Sequence, residues 1–267
     1  MEFSEIDRRM RIFETAHDHC VLPGLAIVAR LDGRGFTRLT KEVHRFAVPF
    51  DLRCRDLMVA TAGHLMDCGM RIVYGYTQSD EISLLFHPAD DSFGRKERKL
   101  NSVLAGEASA AFALRLGAHG VFDRRICQLP DRQRVLDYFR WRQEDAHRNS
   151  IGAHAYWALR GDGIDPRGAA ARLSGLDVAG LNEFLFQRGI NVNDLPTWQK
   201  RGVGLRWAYA EKSGRDPRSG AAVSALRQAL VVDHELPLCD DYAVYLDTIL
   251  DEADQKTGNG SSGPSYA

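Results

Sequence analysis

The sequence predicts an α+β fold, and three observations carry the prediction. Short apolar runs of strand length alternate with longer stretches that repeat at helical spacing, and glycine or polar clusters separate them. Over the first 130 residues the elements read strand, helix, strand, strand, helix, strand. That β-α-β-β-α-β order is the ferredoxin-like split βαβ unit, here followed by helical additions and a C-terminal α/β extension.

The first strand, Leu25 to Leu31, is a continuous apolar run closed by the glycine turn Asp32-Gly33-Arg34-Gly35. A helix over 51–68 follows. Asp51 is placed to cap it just after Pro49, and Leu57/Met58, Thr61/Ala62 and Leu65/Met66 recur one helical turn apart. Residues 71–77 and 82–86 form a hairpin whose turn is Gln78-Ser79-Asp80-Glu81. A helix over 95–116 gathers Leu100, Val103, Leu104, Ala108, Ala111, Phe112 and Leu116 on one stripe, and residues 122–129 make the fourth strand.

This topology has a geometric consequence. The first and second strands run parallel with the third between them, so the end of the first strand and the hairpin turn share one edge of the sheet. Asp32 is therefore expected beside Asp80 and Glu81 despite 48 residues of separation.

Beyond residue 131 the pattern turns helical. Two packed helices are expected, one carrying Val135, Leu136, Phe139 and Arg142 up to Asp145, the next carrying Ala153, Tyr156, Trp157 and Leu159. Phe139 and Trp141 read as packing residues. Gly161–Gly168 reads as a loop, 176–188 as a short helix, 203–210 as a strand, Arg215–Gly220 as a mobile loop and the tail after Gly258 as disordered. The chain divides accordingly into residues 1–130 with an N-terminal helix, an extension over 131–257, and a tail over 258–267.

With 44% hydrophobic and 27% charged residues, the 267-residue chain is neither disordered nor collagenous. No apolar run reaches the roughly 18 residues of a membrane span, and Met1-Glu2-Phe3-Ser4-Glu5 has no apolar leader, so a soluble cytoplasmic protein without membrane contact is expected. Five cysteines without a Cys-x-x-Cys pair give neither a disulfide framework nor a zinc knuckle. His17-Asp18-His19-Cys20 reads as a solvated helix end.

The net charge of −1 hides an asymmetry. Eight acids and no Lys or Arg fall within residues 233–255, leaving a mildly basic body. Its cations concentrate in Arg95-Lys96-Glu97-Arg98-Lys99 and in the seven arginines of 124–148, which suits a phosphate-rich partner.

Carboxylates at a sheet edge beside a glycine turn match the needs of two-metal phosphoryl transfer. Two divalent cations about 4 Å apart require bridging carboxylates and further oxygens. Asp32 and Asp80 are placed to bridge, the Gly33 carbonyl to add an oxygen, and Gly33 and Gly35 to let backbone amides approach a triphosphate. The basic helix start at Arg95, Lys96 and Lys99 suits phosphate oxygens.

Leu31-Asp32-Gly33-Arg34-Gly35-Phe36, Gln78-Ser79-Asp80-Glu81-Ile82-Ser83, Phe122-Asp123-Arg124-Arg125 and the run from Tyr138 to His147 together resemble the tRNA(His) guanylyltransferase family and its bacterial relatives. Leu181-Asn182-Glu183-Phe184-Leu185-Phe186 and Asn193-Asp194-Leu195-Pro196 extend the match, which runs over about residues 22–205. The resemblance implies a polymerase-like palm that extends RNA in the 3′-5′ direction at the 5′ end of tRNA. ATP first adenylylates the 5′-monophosphate, and the 3′-hydroxyl of GTP or a templated nucleotide then displaces AMP. It further implies that Asp32, the Gly33 carbonyl and Asp80 bind two Mg²⁺ ions, with Glu81 and Ser79 in support. Arg34, Gly35 and Phe36 would line the nucleotide pocket, with Arg95, Lys96 and Lys99 near the triphosphate. Arg124, His147 and Asn149 would contact RNA or its activated end, Lys200 would contact tRNA, and the protein would be a homotetramer.

Two segments depart from the family pattern. His147-Arg148-Asn149-Ser150 stands where the tRNA(His)-specific enzymes read His-Ile-Asn-Asn, and Val48-Pro49-Phe50-Asp51 stands for Lys-Pro-Asn-Asp. Both fall on recognition, which favours templated repair of 5′-truncated tRNAs over strict addition of one unpaired G. A nucleotidyl or dinucleotide cyclase on a related palm is the enzymatic alternative, weakened by Gln78-Ser79 where a cyclase carries glycines. A non-catalytic RNA-binding module is the alternative from another class, opposed by intact Asp32, Asp80 and Glu81.

Overall fold

A computed structural model describes residues 3–215 and 222–258. In chain order the elements are α1 (Phe3–Thr15), β1 (Ala26–Gly33), a short helical turn α2 (Phe36–Arg38) continuing as a π turn (Leu39–Val43), α3 (Leu52–Met66), β2 (Ile72–Gln78) and β3 (Glu81–Phe86). Then come α4 (Glu97–Leu116), β4 (Phe122–Leu129), α5 (Arg132–Gly161), α6 (Pro166–Leu173), α7 (Val178–Phe186), α8 (Thr197–Arg201), β5 (Val203–Arg215), β6 (Ala222–Asp233) and α9 (Cys239–Gly258).

The six strands form one antiparallel sheet in the order β4-β1-β3-β2-β5-β6. Its first four strands, with α3 and α4 on one face, are the expected split βαβ unit, and β1 and β2 run parallel on either side of β3. Strand alternation sends Ile27, Ala29 and Leu31 into a core with α3 and α4, and Val28 into a second core with α5 and α9. A register shift between Ile72 and Tyr74 lets β2 supply Ile72 to the first core and Tyr74 to the second.

Local chemistry explains the main boundaries. Asp51 caps α3 by accepting from the Arg53 amide at 2.7 Å, and Asp131 caps α5 through the Arg134 amide at 2.8 Å. Gly117, left-handed at φ 72°, ends α4. Gly33 is required because a Cβ there would stand 2.5 Å from the Phe36 ring.

Several expectations change. The two helices expected over 131–159 are one 30-residue helix, α5. Its polar stretch does not interrupt it, since Asp145 is held at helical spacing by Arg142 at 2.8 Å, Arg148 at 3.2 Å and Asn149 at 3.3 Å. Gly161–Gly168 contains the start of α6, with Asp165 as its cap. Trp141 is 50% exposed rather than packed inside, whereas Phe139 is fully buried. The acidic C-terminal segment folds as α9 against basic α5, where Arg132 donates to Asp247 at 2.6 Å and Asp251 at 2.7 Å. Residues 216–220 of the expected mobile loop, and the tail after Gly258, lie outside the described residues.

Candidate functional site

β2 and β3 are joined by the two residues Ser79 and Asp80, with Ser79 in the left-handed region at φ 54°. The β1–β3 register sets Asp32 directly opposite Glu81, and the Gly33 amide donates to the Asp80 carbonyl at 3.0 Å. The expected convergence of Asp32 with Asp80 and Glu81 is therefore present.

The three acids are not equivalent. Glu81 is claimed by two arginines: Arg30 of β1, and Arg142 of α5 at 2.8 Å. Arg142 is buried and also holds Asp145 at 2.8 Å, so Glu81 anchors α5 to the sheet. Among the described residues Asp32 has only a distant cation, Arg30 at 3.6 Å. Asp80 has no cationic partner among the described residues and accepts from the Ser79 hydroxyl at 3.1 Å. Burial holds the Asp80 carboxyl above its ordinary range, and the charges of Asp32 and Glu81 push the same way.

This donor set suits a hard divalent cation. No three His, Cys, Asp or Glu side chains among the described residues form a closed metal cage. Two under-compensated carboxylates at one edge instead match the open sites in which Mg²⁺ takes one or two carboxylates and completes its shell with substrate phosphates and water.

Beside the hairpin lies a cavity of ≈ 330 Å³, a volume suited to a small-molecule ligand. Asp80, Glu81 and Asp145 line its acidic end. Across it stand Phe50, Trp157 and Trp198, with Phe50 and Trp198 edge-to-face at 5.9 Å and the Arg55 guanidinium 5.0 Å above the Trp198 ring. Lys41 also reaches the wall, donating to the Pro49 carbonyl at 3.1 Å. Sequence reading missed Lys41, Phe50, Arg55, Trp157 and Trp198 because they come from four separate segments and form no motif. Their one local signal is a set of large aromatics beside Pro49 and Pro196.

The remaining expected residues scatter. Phe36 borders the cavity but is a core residue, with ring centroids 4.8 Å from Phe112 and 5.0 Å from Phe122. Arg34 and Gly35 are exposed and lie outside the cavity lining. Arg95 and Lys96 are engaged away from the carboxylate edge. Arg95 donates to the carbonyls of Val21, Leu22, Leu25 and Asp90, and Lys96 pairs with Asp18 at 3.0 Å. Leu25 precedes β1 and Asp32 nearly ends it, so the two places are separated by a strand length of roughly 20 Å. Lys99 stands one turn further along α4, between Glu97, which accepts from Gln128, and Asn101, which accepts from Arg124.

Arg124 pairs in register with Leu31 and faces α4, donating to Asn101 at 3.0 Å. It lies on the opposite side of the sheet from Asp32, and burial pushes its guanidinium down to about 9. Lys200 is buried and donates to the carbonyls of Val192 and Asn193, each at 2.9 Å, which makes it a clamp on its own loop rather than a tRNA contact. His147 faces Lys200 and Arg201, and burial lowers its pKa. Asn149 alone of the expected RNA contacts lines the cavity.

A sequence model of tRNAHis guanylyltransferase matches residues 7–130, and one of that family's C-terminal domain matches residues 133–235. The chain belongs to the tRNA(His) guanylyltransferase family. It is thereby an enzyme of the nucleotidyltransferase class. The tRNA(His) guanylyltransferase of Schizosaccharomyces pombe is 35% identical over 234 residues, covering 83% of this chain and 89% of that one. Among solved structures, a bacterial tRNA(His) guanylyltransferase-like protein in complex with ATP superposes with a TM-score of 0.74 at 29% identity, over 92% of this chain and 98% of that one. The bacterial guanylyltransferase-like protein in complex with GTP gives 0.70 at 28% identity, over 92% and 99%. No helix among the described residues of this family member is long and apolar enough to cross a membrane.

Proposed function

We propose that the protein adds nucleotides to the 5′ end of tRNA in the 3′-5′ direction, as a repair enzyme of the bacterial guanylyltransferase-like branch. The observation that carries this reading is the convergence of Asp32 with the under-compensated Asp80 beside a cavity that suits a nucleotide. The relatives' names supply the substrate class: tRNA(His) guanylyltransferases, and guanylyltransferase-like proteins that bind ATP and GTP.

In the proposed reaction the 5′-monophosphate of tRNA attacks the α-phosphorus of ATP, releasing pyrophosphate and leaving a 5′-5′ linked AMP. The 3′-hydroxyl of GTP, or of a nucleotide paired to the template, then attacks the activated 5′-phosphorus. AMP leaves, and the new end carries the triphosphate. Asp32, Asp80 and the Gly33 carbonyl are the residues that would hold two Mg²⁺ ions, which when bound would neutralise phosphate charge and sharpen the attacking hydroxyl. The chain's own contribution is positional. Ser79 orients Asp80, the Arg30 and Arg142 pair fixes Glu81, and the Phe50, Trp157 and Trp198 wall offers flat apolar surface to a base. A cytoplasmic homotetramer is part of the same reading.

The test is extension of a tRNA lacking its first 5′ nucleotide, with Mg²⁺, ATP and GTP. A product one nucleotide longer supports the proposal. Addition only to full-length tRNA(His) would replace repair with strict G addition, and no product across several truncated tRNAs would overturn the enzymatic reading.

A further inference from the structure

The carboxylate edge separates two surfaces. On the β2 side is the cavity. On the β1 and β4 side the sheet is open, paved by the cross-strand pairs Arg30–Arg125 and Asp32–Asp123, with Arg125 and Asp123 exposed.

Trp141 of α5 is directed to this flank by its place on the helix. Each residue of a helix turns the side chain by about 100°, so residues one turn apart share a direction. Tyr138 and Arg142 both reach β3, through the Ser83 hydroxyl at 3.1 Å and Glu81 at 2.8 Å. Phe139, rotated one way, meets Tyr74 of β2 at 5.2 Å. Helical spacing turns Trp141 the other way, toward the β1 and β4 side.

Its indole is half exposed yet fixed. The Arg142 guanidinium lies 4.5 Å from the ring centroid, the Tyr138 ring meets it edge-on at 5.9 Å, and Arg142 is itself locked between Glu81 and Asp145. A large aromatic backed by a buried cation and open on its other side is preorganised for stacking on a flat π system. Arg125 of β4 and Arg34 just past β1 are exposed, as is Arg148 two turns along α5, which also pairs with Asp145 at 3.2 Å, so the flank carries cations that suit phosphates and favours a nucleic acid strand over an apolar protein face. The same Arg142 that backs Trp141 also holds Glu81, so a base stacked there is tied directly to the carboxylate edge.

We propose that Trp141 is the stacking platform for the base at the 5′ end of the RNA, delivering its terminal phosphate to the Asp32–Asp80 edge from the side opposite the cavity. This rests on the nucleotidyl-transfer reading above. Stacking is indifferent to base identity, so the platform accepts any 5′ nucleotide.

The test compares wild type, Trp141→Ala and Trp141→Tyr on two RNAs: a 5′-monophosphorylated tRNA lacking its first nucleotide, and the same RNA with an abasic 5′-terminal nucleotide. Binding is titrated directly, and KM and kcat for extension are measured in parallel. Trp141→Ala should weaken binding and raise KM for the ordinary RNA by about tenfold with kcat little changed, while Trp141→Tyr restores most of the loss. On the abasic RNA the three proteins should bind alike. Equal loss on both RNAs, no loss on either, failure of Tyr to restore binding, or a change in oligomeric mass in Trp141→Ala would each overturn the assignment. Absence of extension by wild type would defeat the functional reading instead, and the binding titration would still report on Trp141.

Discussion

The two ends of β1 carry opposite charge and opposite degrees of compensation. At its start, Arg95 donates to four main-chain carbonyls, while Lys96 and Arg98 close on Asp18, whose carboxyl the Arg98 and Lys96 contacts hold down to about 2. At its end, the half-buried Asp80 lies beside Asp32 and Glu81 with no cation of its own among the described residues. The first end is a completed structural joint. The second is a charge imbalance maintained by the fold, and only an imbalance leaves capacity to bind a cation or a phosphate.

The strongest way to break this comparison is Asp80→Asn. Nucleotide addition should fall by more than about 100-fold, beyond what loss of a merely supporting contact costs. The melting temperature should hold or rise, because a half-buried charge facing two like charges is removed. Undiminished turnover would show that the imbalance is idle. Next comes Arg142→Ala, which leaves Glu81 and Asp145 without their shared cation. Denaturant unfolding should show a loss of about 2–4 kcal/mol, with turnover falling as α5 loosens from the carboxylate edge. Arg95→Ala should lower stability by about 1–3 kcal/mol while leaving KM for ATP and GTP unchanged; a rise in either KM would return Arg95 to the nucleotide site.

Titration sharpens the contrast through its sign. The Asp80 pKa is raised on folding, so wild type should lose stability relative to Asp80→Asn as pH climbs from the ordinary carboxylate range to the raised value, with a constant difference above it. Asp18 is depressed, so its stabilisation should be complete above the ordinary carboxylate range and disappear as pH falls toward about 2. Thermal melts of wild type, Asp80→Asn and Asp18→Asn across this range read both, and parallel curves for the two variants would remove the distinction. The smallest effect is at Arg132, whose half-exposed pairs to Asp247 and Asp251 should contribute about 1 kcal/mol or less and weaken with salt.

Charge and motif in the sequence do not record pairing. In the structure Arg95 and Lys96 brace the start of β1, Lys200 is buried and holds its own loop, and Arg124 takes the far face of the sheet because it shares the orientation of Leu31. Phe36 both borders the cavity and packs in the core, while the aromatic wall of the cavity came from segments with no shared motif. Trp141 was expected to pack because aromatics at helical spacing usually belong to the core, yet its own rotation carries it past the edge of the packed face.

Local signals and connectivity alone were enough to specify the capped start of α3, the hairpin, the β-α-β-β-α-β order and hence the meeting of Asp32 with Asp80. Each depends on neighbouring residues or on topology that admits one arrangement of short connections. Tertiary structure alone decided which cations are consumed by carbonyls and carboxylates, which sheet face each arginine takes, and where the cavity opens. Those outcomes depend on groups distant in the chain competing for the same partners across space, and no local pattern records who prevails.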